Sequence, residues 1–213
     1  MRGLLVTGTD TDVGKTWFML KLGELLKSNK IKFHFLKPVE SGCESPNNQI
    51  VPNDALQYSK LENAPLEKIC KYMFKAYASP PRAAKMENKS IELEDILNFI
   101  KINSDNNAFN IIEGCGGFFS PIANNKLTSD LALEIGLPVA LVVKNTLGCI
   151  NHSLLTITAM NSLGLNIKFI ILNDISKKTP LDNYDELSNF TNIPIFRMSY
   201  NKELNKDILA HLN

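Results

Sequence analysis

The chain has 213 residues, 44% of them apolar and 21% charged, with a formal net charge of +1. These are globular values with ample material for a core, and the chain reads as a single α/β domain over residues 1–213. The near-neutral charge argues against a basic stripe for nucleic acid or a polybasic membrane surface. No apolar run approaches the roughly 20 residues of a membrane span, and Asp10 and Asp12 break any signal-peptide core.

The first element is a short apolar strand, Gly3 to Val6. It runs into Gly8-Thr9-Asp10-Thr11-Asp12-Val13-Gly14-Lys15-Thr16, and an amphipathic helix over 15–28 follows, with Phe18, Leu22, Leu25 and Leu26 on one face. A strand, a glycine-bearing loop and Gly-Lys-Thr opening a helix form a phosphate cradle. Backbone N–H groups and the helix dipole face the anion. Lys15 would reach the outer phosphates and the Thr16 hydroxyl would sit on Mg²⁺. The spacing is unusual: five residues separate Gly8 from Gly14, where four are usual, and Thr9 stands in the usual glycine position.

Further apolar, β-rich runs follow at Ile31–Leu36, Phe109–Ile112, Pro138–Val143, Ile167–Leu172 and Ile193–Phe196. Helical spacing fills 90–102, with Ser90 placed as N-cap, and 150–163, with Gly164 as C-cap. The Pro/Asn-rich stretch 45–53 reads as a loop. Alternating strands and helices predict a mostly parallel, doubly wound sheet with helices on both faces. Ala140-Leu141-Val142-Val143 is apolar on both faces, as a buried parallel strand should be.

Ligands of such sheets bind beyond the carboxyl ends of the strands. After the second strand comes Lys37-Pro38-Val39-Glu40-Ser41-Gly42, which puts a second lysine on the same edge as Lys15. It could neutralise a transferring phosphoryl group, although most lysines are simply solvated. After Phe109–Ile112 comes Glu113-Gly114-Cys115-Gly116-Gly117. An acid at a strand end is a partner for Mg²⁺, and the glycines let backbone approach a ligand; the bland alternative is a flexible turn. Asp54 opens a helix-like stretch, and on spacing alone it is either a cap or a metal ligand. Asn173, at a late strand end, could read a nucleobase edge or form a turn with Asp174. Cys115, Cys149 and His152 read as packed or capping residues. Cysteines 43, 70, 115 and 149 form no CxxC and the histidines are scattered, so no structural zinc site is expected. Free thiols without an export signal predict a cytoplasmic protein.

These segments together resemble dethiobiotin synthetase, in the same order and at similar spacings over roughly residues 3–196: the loop Gly8 to Thr16, Lys37 to Gly42, Asn53-Asp54-Ala55, Glu113 to Gly117 and Leu147-Gly148-Cys149-Ile150-Asn151-His152. The resemblance implies a P-loop NTPase fold and a homodimeric, Mg²⁺- and ATP-dependent carboligase of biotin synthesis. In that family CO₂ adds to an amine of 7,8-diaminopelargonate, ATP phosphorylates the carbamate, and the second amine closes a ureido ring. By position it implies that Lys37 and Lys15 are catalytic and that Thr16, Asp54 and Glu113 hold the metal. Asp12, Val13, Gly14, Lys15, Thr16 and Trp17 would line the triphosphate. Gly114, Gly116 and Gly117 would border the reacting groups, and Gly114, Cys115 and Gly116 the nucleotide, with Asn173 at its base. Thr11, Ser41 and Gly117 would contact substrate, and Asn151 and Tyr184 would serve its carboxylate end from a partner subunit. The chain departs from the family at Cys115, usually alanine, and at Ser79-Pro80-Pro81, which lacks the histidine that often follows Ser-Pro. It also lacks a Gly-x-Ile-Pro element after Ile195, so its base selectivity is open. A partition- or division-site switch ATPase is the rival reading. Such proteins carry a lysine five residues before the loop lysine, where this chain has Asp10.

Overall fold

The structure is a computed structural model and describes residues 1–175 and 183–212. The chain begins with strand β1 (Gly3–Gly8), helix α1 (Lys15–Ser28), β2 (Phe33–Leu36) and β3 (Val39–Ser41). Helices α2 (Asn53–Glu62) and α3 (Leu66–Ile69), strand β4 (Tyr72–Phe74), and helices α4 (Pro80–Met86) and α5 (Leu93–Asn103) follow. Then come β5 (Phe109–Gly117), the small hairpin β6 (Pro121–Ala123) and β7 (Lys126–Leu127), α6 (Thr128–Ile135) and β8 (Val139–Lys144). The described chain closes with α7 (Cys149–Ser162), β9 (Ile167–Asn173), α8 (Asn183–Ser188), β10 (Ile195–Met198) and a terminal 3₁₀ turn, Lys206–His211.

Six strands form the main sheet in the order β10-β9-β8-β1-β5-β2. All of its neighbours pair in parallel. Side chains alternate across each strand, so the sheet feeds two cores. Leu4, Val6, Ile111, Val142, Phe169 and Ile171 pack with Phe18 and Leu22 of α1. Leu5, Ile112, Leu141, Val143, Ile170 and Leu172 pack with Ile96 and Ile100 of α5, Leu131 of α6 and Ile157 of α7. The sheet centre is covered on both sides, which is why these strands are apolar at successive positions.

One local expectation is corrected, and one strand runs longer than expected. Ser90 is not a helix cap: α5 begins at Leu93 with Glu92 at the N-cap position, and the Ser90 hydroxyl donates to the Glu92 carboxylate at 2.8 Å. The strand expected over Phe109–Ile112 does not stop at the glycine run. β5 continues through it, and Gly117 pairs with Gly8 beyond a register shift. Gly164 does end α7, one residue past the cap residue Leu163, with φ +69°.

Candidate active site

The carboxyl ends of β1, β2 and β5 open into a cleft of about 780 Å³. Its walls include Thr11, Asp12, Gly14, Lys15, Thr16, Lys37, Ser41, Asp54, Glu113, Gly114, Cys115 and Gly116. Most of the residues proposed from the sequence therefore meet in one place. Val13, Trp17, Gly117 and Asn173 lie outside the lining. Val13 is buried in the core beside α1, and Trp17 sits half-exposed with Lys21 over its ring. Asn151, in the first turn of α7, and Tyr184, on α8, are exposed and form no part of this chain's cleft.

The loop after β1 is shaped by two left-handed residues, Asp12 at φ +55° and Gly14 at φ +94°. Gly14 occupies the N-cap position of α1 and offers no side chain to it, so the N-terminal N–H groups of the helix stay available to an anion. Lys15 folds back and its Nζ donates to the Asp10 carbonyl at 3.1 Å. Burial lowers the Lys15 pKa, opposed by the charge of Glu113.

Lys37 leaves the end of β2 almost wholly buried, 6% exposed. Its ammonium lies 2.9 Å from Asp54 Oδ2 and 2.9 Å from Glu113 Oε1. Burial alone would lower the Lys37 pKa, but the carboxylates of Glu113, Asp54 and Glu40 carry it well above its usual value. Lys37 is therefore a fixed positive charge and not a base. The Thr16 hydroxyl donates to Glu113 Oε1 at 3.4 Å. Cys115 lines the cleft beside these groups. Burial pushes its thiol up to about 11, so it stays protonated and weakly nucleophilic.

Two residues that the sequence did not mark hold this arrangement. Tyr58 is fully buried and donates its hydroxyl to Glu113 Oε2. Glu40 accepts the backbone N–H of Asp54 at 3.0 Å and of Ala55 at 2.9 Å. Glu40 thus satisfies the start of α2, where Pro52 occupies the N-cap position. Asp54 is not the cap, and its carboxylate is free to face Lys37. At the other end of α2, Glu62 accepts the Phe35 N–H at 2.8 Å and contacts His34. The helix carrying Asp54 and Tyr58 is pinned at both ends to the two strands, β2 and β3, that flank Lys37. For Tyr58 a signal existed, since it lies four residues after Asp54 and so on the same helical face. For Glu40 the contact spans a loop, and nothing local announced it.

The fit to Mg²⁺ can be judged from the donor set. Thr16, Asp54 and Glu113 supply one hydroxyl and two carboxylates, all hard oxygens. Among the described residues no group of three or more His, Cys, Asp and Glu could hold a metal unaided. That combination suits an ion that keeps waters and takes its other ligands from phosphate oxygens.

A phosphate loop at the mouth of a parallel sheet, with buried lysines and carboxylates around it, defines a P-loop enzyme that uses a nucleoside triphosphate. An AAA domain family model matches residues 2–206. The ATP-dependent dethiobiotin synthetase BioD of Vesicomyosocius okutanii is 37% identical, with 100% of this chain and 99% of that protein covered. The protein of the same name from Bacillus licheniformis is 34% identical, with 92% of this chain and 84% of that protein covered. The chain belongs to the ATP-dependent dethiobiotin synthetase family. Among solved structures, the MinD cell division protein of Aquifex aeolicus superposes with a TM-score of 0.51 at 14% identity, covering 100% of this chain and 86% of that one. The signal recognition particle receptor FtsY of Elizabethkingia anophelis gives 0.53 at 14%, covering 100% of this chain and 65% of that one. These likenesses show a shared fold and nothing further about activity.

Proposed function

We propose that this cleft converts 7,8-diaminopelargonate (7,8-diaminononanoate), CO₂ and ATP into dethiobiotin, ADP and phosphate. One substrate amine attacks CO₂ and loses a proton, giving a carbamate. A carbamate oxygen then attacks the γ-phosphorus of ATP and ADP leaves. The second amine attacks the carbonyl carbon of this mixed anhydride, phosphate leaves and the ureido ring closes. The observation that carries the reading is the meeting of Lys15, Thr16, Lys37, Asp54 and Glu113 in one cleft, with Lys37 Nζ 2.9 Å from each carboxylate.

The chemistry needs two anions, carbamate and γ-phosphate, to be brought together in a site that excludes water. Lys37 stays charged through the working pH range and offsets the growing negative charge at the transferred group. Lys15 and the loop from Asp12 to Trp17 hold the triphosphate. Thr11 and Ser41 contact the substrate, while Gly114, Cys115 and Gly116 form the wall beside the reacting atoms. Thr16, Asp54 and Glu113 would hold Mg²⁺, which supplies electrostatic neutralisation of the phosphates. The base of the nucleotide would lie over the ends of β9 and β10, near Asn173.

Asn151 and Tyr184 face solvent outside the cleft, and Leu147 and Leu155 close to Asn151 are 85% and 63% exposed. This arrangement supports a homodimer in which a second copy covers α7 and completes the carboxylate end of the substrate site. No helix among the described residues is long and apolar enough to cross a membrane. With four free cysteines, a reducing compartment, the cytoplasm, fits the chain. The decisive experiment supplies 7,8-diaminopelargonate, bicarbonate, Mg²⁺ and ATP and seeks the cyclic urea by mass. Absence of substrate-dependent phosphate release would sink the reading.

A further inference from the structure

Asn173 ends β9, separated from β1 by the whole of β8. Only 3% of it is exposed, yet its side chain crosses to the phosphate loop, where Nδ2 donates to the Val13 carbonyl at 2.9 Å. The two partners interlock. A Cβ built on Gly14 would lie 2.0 Å from Asn173 Nδ2, so the left-handed Gly14 is the residue that leaves room for the amide. Asn173 is itself held firmly. Its carbonyl accepts the Asn145 N–H at 2.8 Å. Next to it, the Asp174 carboxylate takes Asn145 Nδ2 at 2.6 Å and Arg197 Nε at 2.9 Å.

We propose that Asn173 is a positioning residue for the phosphate loop, acting on the triphosphate whatever base it carries. The inference rests on the reading that this loop holds a nucleoside triphosphate. The Val13–Gly14 peptide is trans, so its carbonyl and its N–H point in opposite directions. Fixing the Val13 carbonyl on Asn173 turns the Gly14 N–H away from Asn173, and Gly14 lines the cleft. The orientation of a phosphate donor is thus set from two strands away, through a side chain that need not touch the ligand.

The test uses Asn173→Asp, which keeps the shape of the side chain but replaces the donor with an acceptor facing a carbonyl. Binding of ATP, GTP, CTP and inorganic tripolyphosphate is followed by the fluorescence of Trp17, the chain's single tryptophan, beside Thr16. All four should weaken by a common factor of about ten. Hydrogen exchange of residues 10–18 without ligand should quicken, while that of β8 stays as in the parent. Loss confined to ATP, with tripolyphosphate unaffected, would make Asn173 a base reader only and overturn the proposal. Unchanged binding and unchanged loop exchange would overturn it as well. A parent protein that binds none of the four would refute the nucleotide reading itself, a different result from a parent that binds and a variant that binds equally. Should Asn173→Asp not fold, Asn173→Ala, which removes the donor without adding charge, carries the same expectations.

Discussion

Replacing Tyr58 with Phe tests whether the Glu113 carboxylate is held from behind. The substitution removes one hydroxyl and keeps the ring, which packs on Phe35 at a centroid distance of 4.7 Å. The lost bond is the one to Glu113 Oε2. Glu113 keeps Lys37 and Thr16 on Oε1, so the ion pair survives and only the orienting contact goes. Burial, and then the charge of Glu113, hold the Tyr58 hydroxyl well above its usual pKa, so it donates throughout the assay range. A hydrogen bond to a charged group contributes about 1.5–3 kcal/mol. At about 2–4 °C per kcal/mol for a chain of this size, the melting temperature should fall by roughly 3–12 °C. On the proposal that Glu113 holds Mg²⁺, loss of its partner should slow turnover by about 10–100-fold, with a higher Mg²⁺ requirement. Thermal melts and substrate-dependent phosphate release, each across a Mg²⁺ series, read both effects. A melting temperature within about 1 °C of the parent, together with turnover within about two-fold, would show that Tyr58 does not hold Glu113.

The other expectations share these assays. Lys37→Ala should lower turnover by about 10²–10³ with the circular dichroism of the fold retained; near-normal turnover would remove Lys37 from the mechanism. Glu40→Gln leaves one acceptor for two N–H groups at the start of α2 and should cost about 1–2 kcal/mol, read as a lower melting temperature with weaker Mg²⁺-dependent nucleotide binding; a shift in neither would mean that Asp54 is placed without it. Asp54 gives a pH test. Burial would raise its pKa, but Lys37 pulls it below the usual 3.8. As pH falls, the unfolded chain takes this proton first, so the stabilisation is complete above that value and is lost through the lower folded one. The melting-temperature gap between the parent and Asp54→Asn should be constant from pH 7 to about 5 and narrow below about 3.8; a gap independent of acid would contradict the pairing with Lys37.

The sheet could be read from the sequence because its central strands are covered on both faces. Runs such as Ala140 to Val143 leave no polar position to mislead, and this one lies inside the observed strand, Val139–Lys144. Strand ends were less legible. β5 extends over Gly114 to Gly117 because the β1 end, Gly8, pairs with it there; glycine's weak strand propensity gives no hint of that. The cap of α5 was misplaced because Ser90 finds a side-chain partner in Glu92, a competing local bond of the kind that makes serine ambiguous near helix starts.

At the site, Lys15, Lys37 and Glu113 were legible because topology alone sends strand-end residues to the cleft. Asp54 was not, because an acid in a first helical turn is favourable whether or not it binds anything. What frees it from capping is Glu40, which takes the N–H groups of Asp54 and Ala55. The same logic covers Tyr58. A buried tyrosine at helical spacing is ordinary core until a carboxylate on a distant strand is seen to need its proton, and that need exists only because Glu113 sits 2% exposed with one oxygen already shared by Lys37 and Thr16. Sequence periodicity locates groups that face a ligand. It is blind to the second layer, whose partners lie 14 and 55 residues away along the chain and meet only when the sheet has formed.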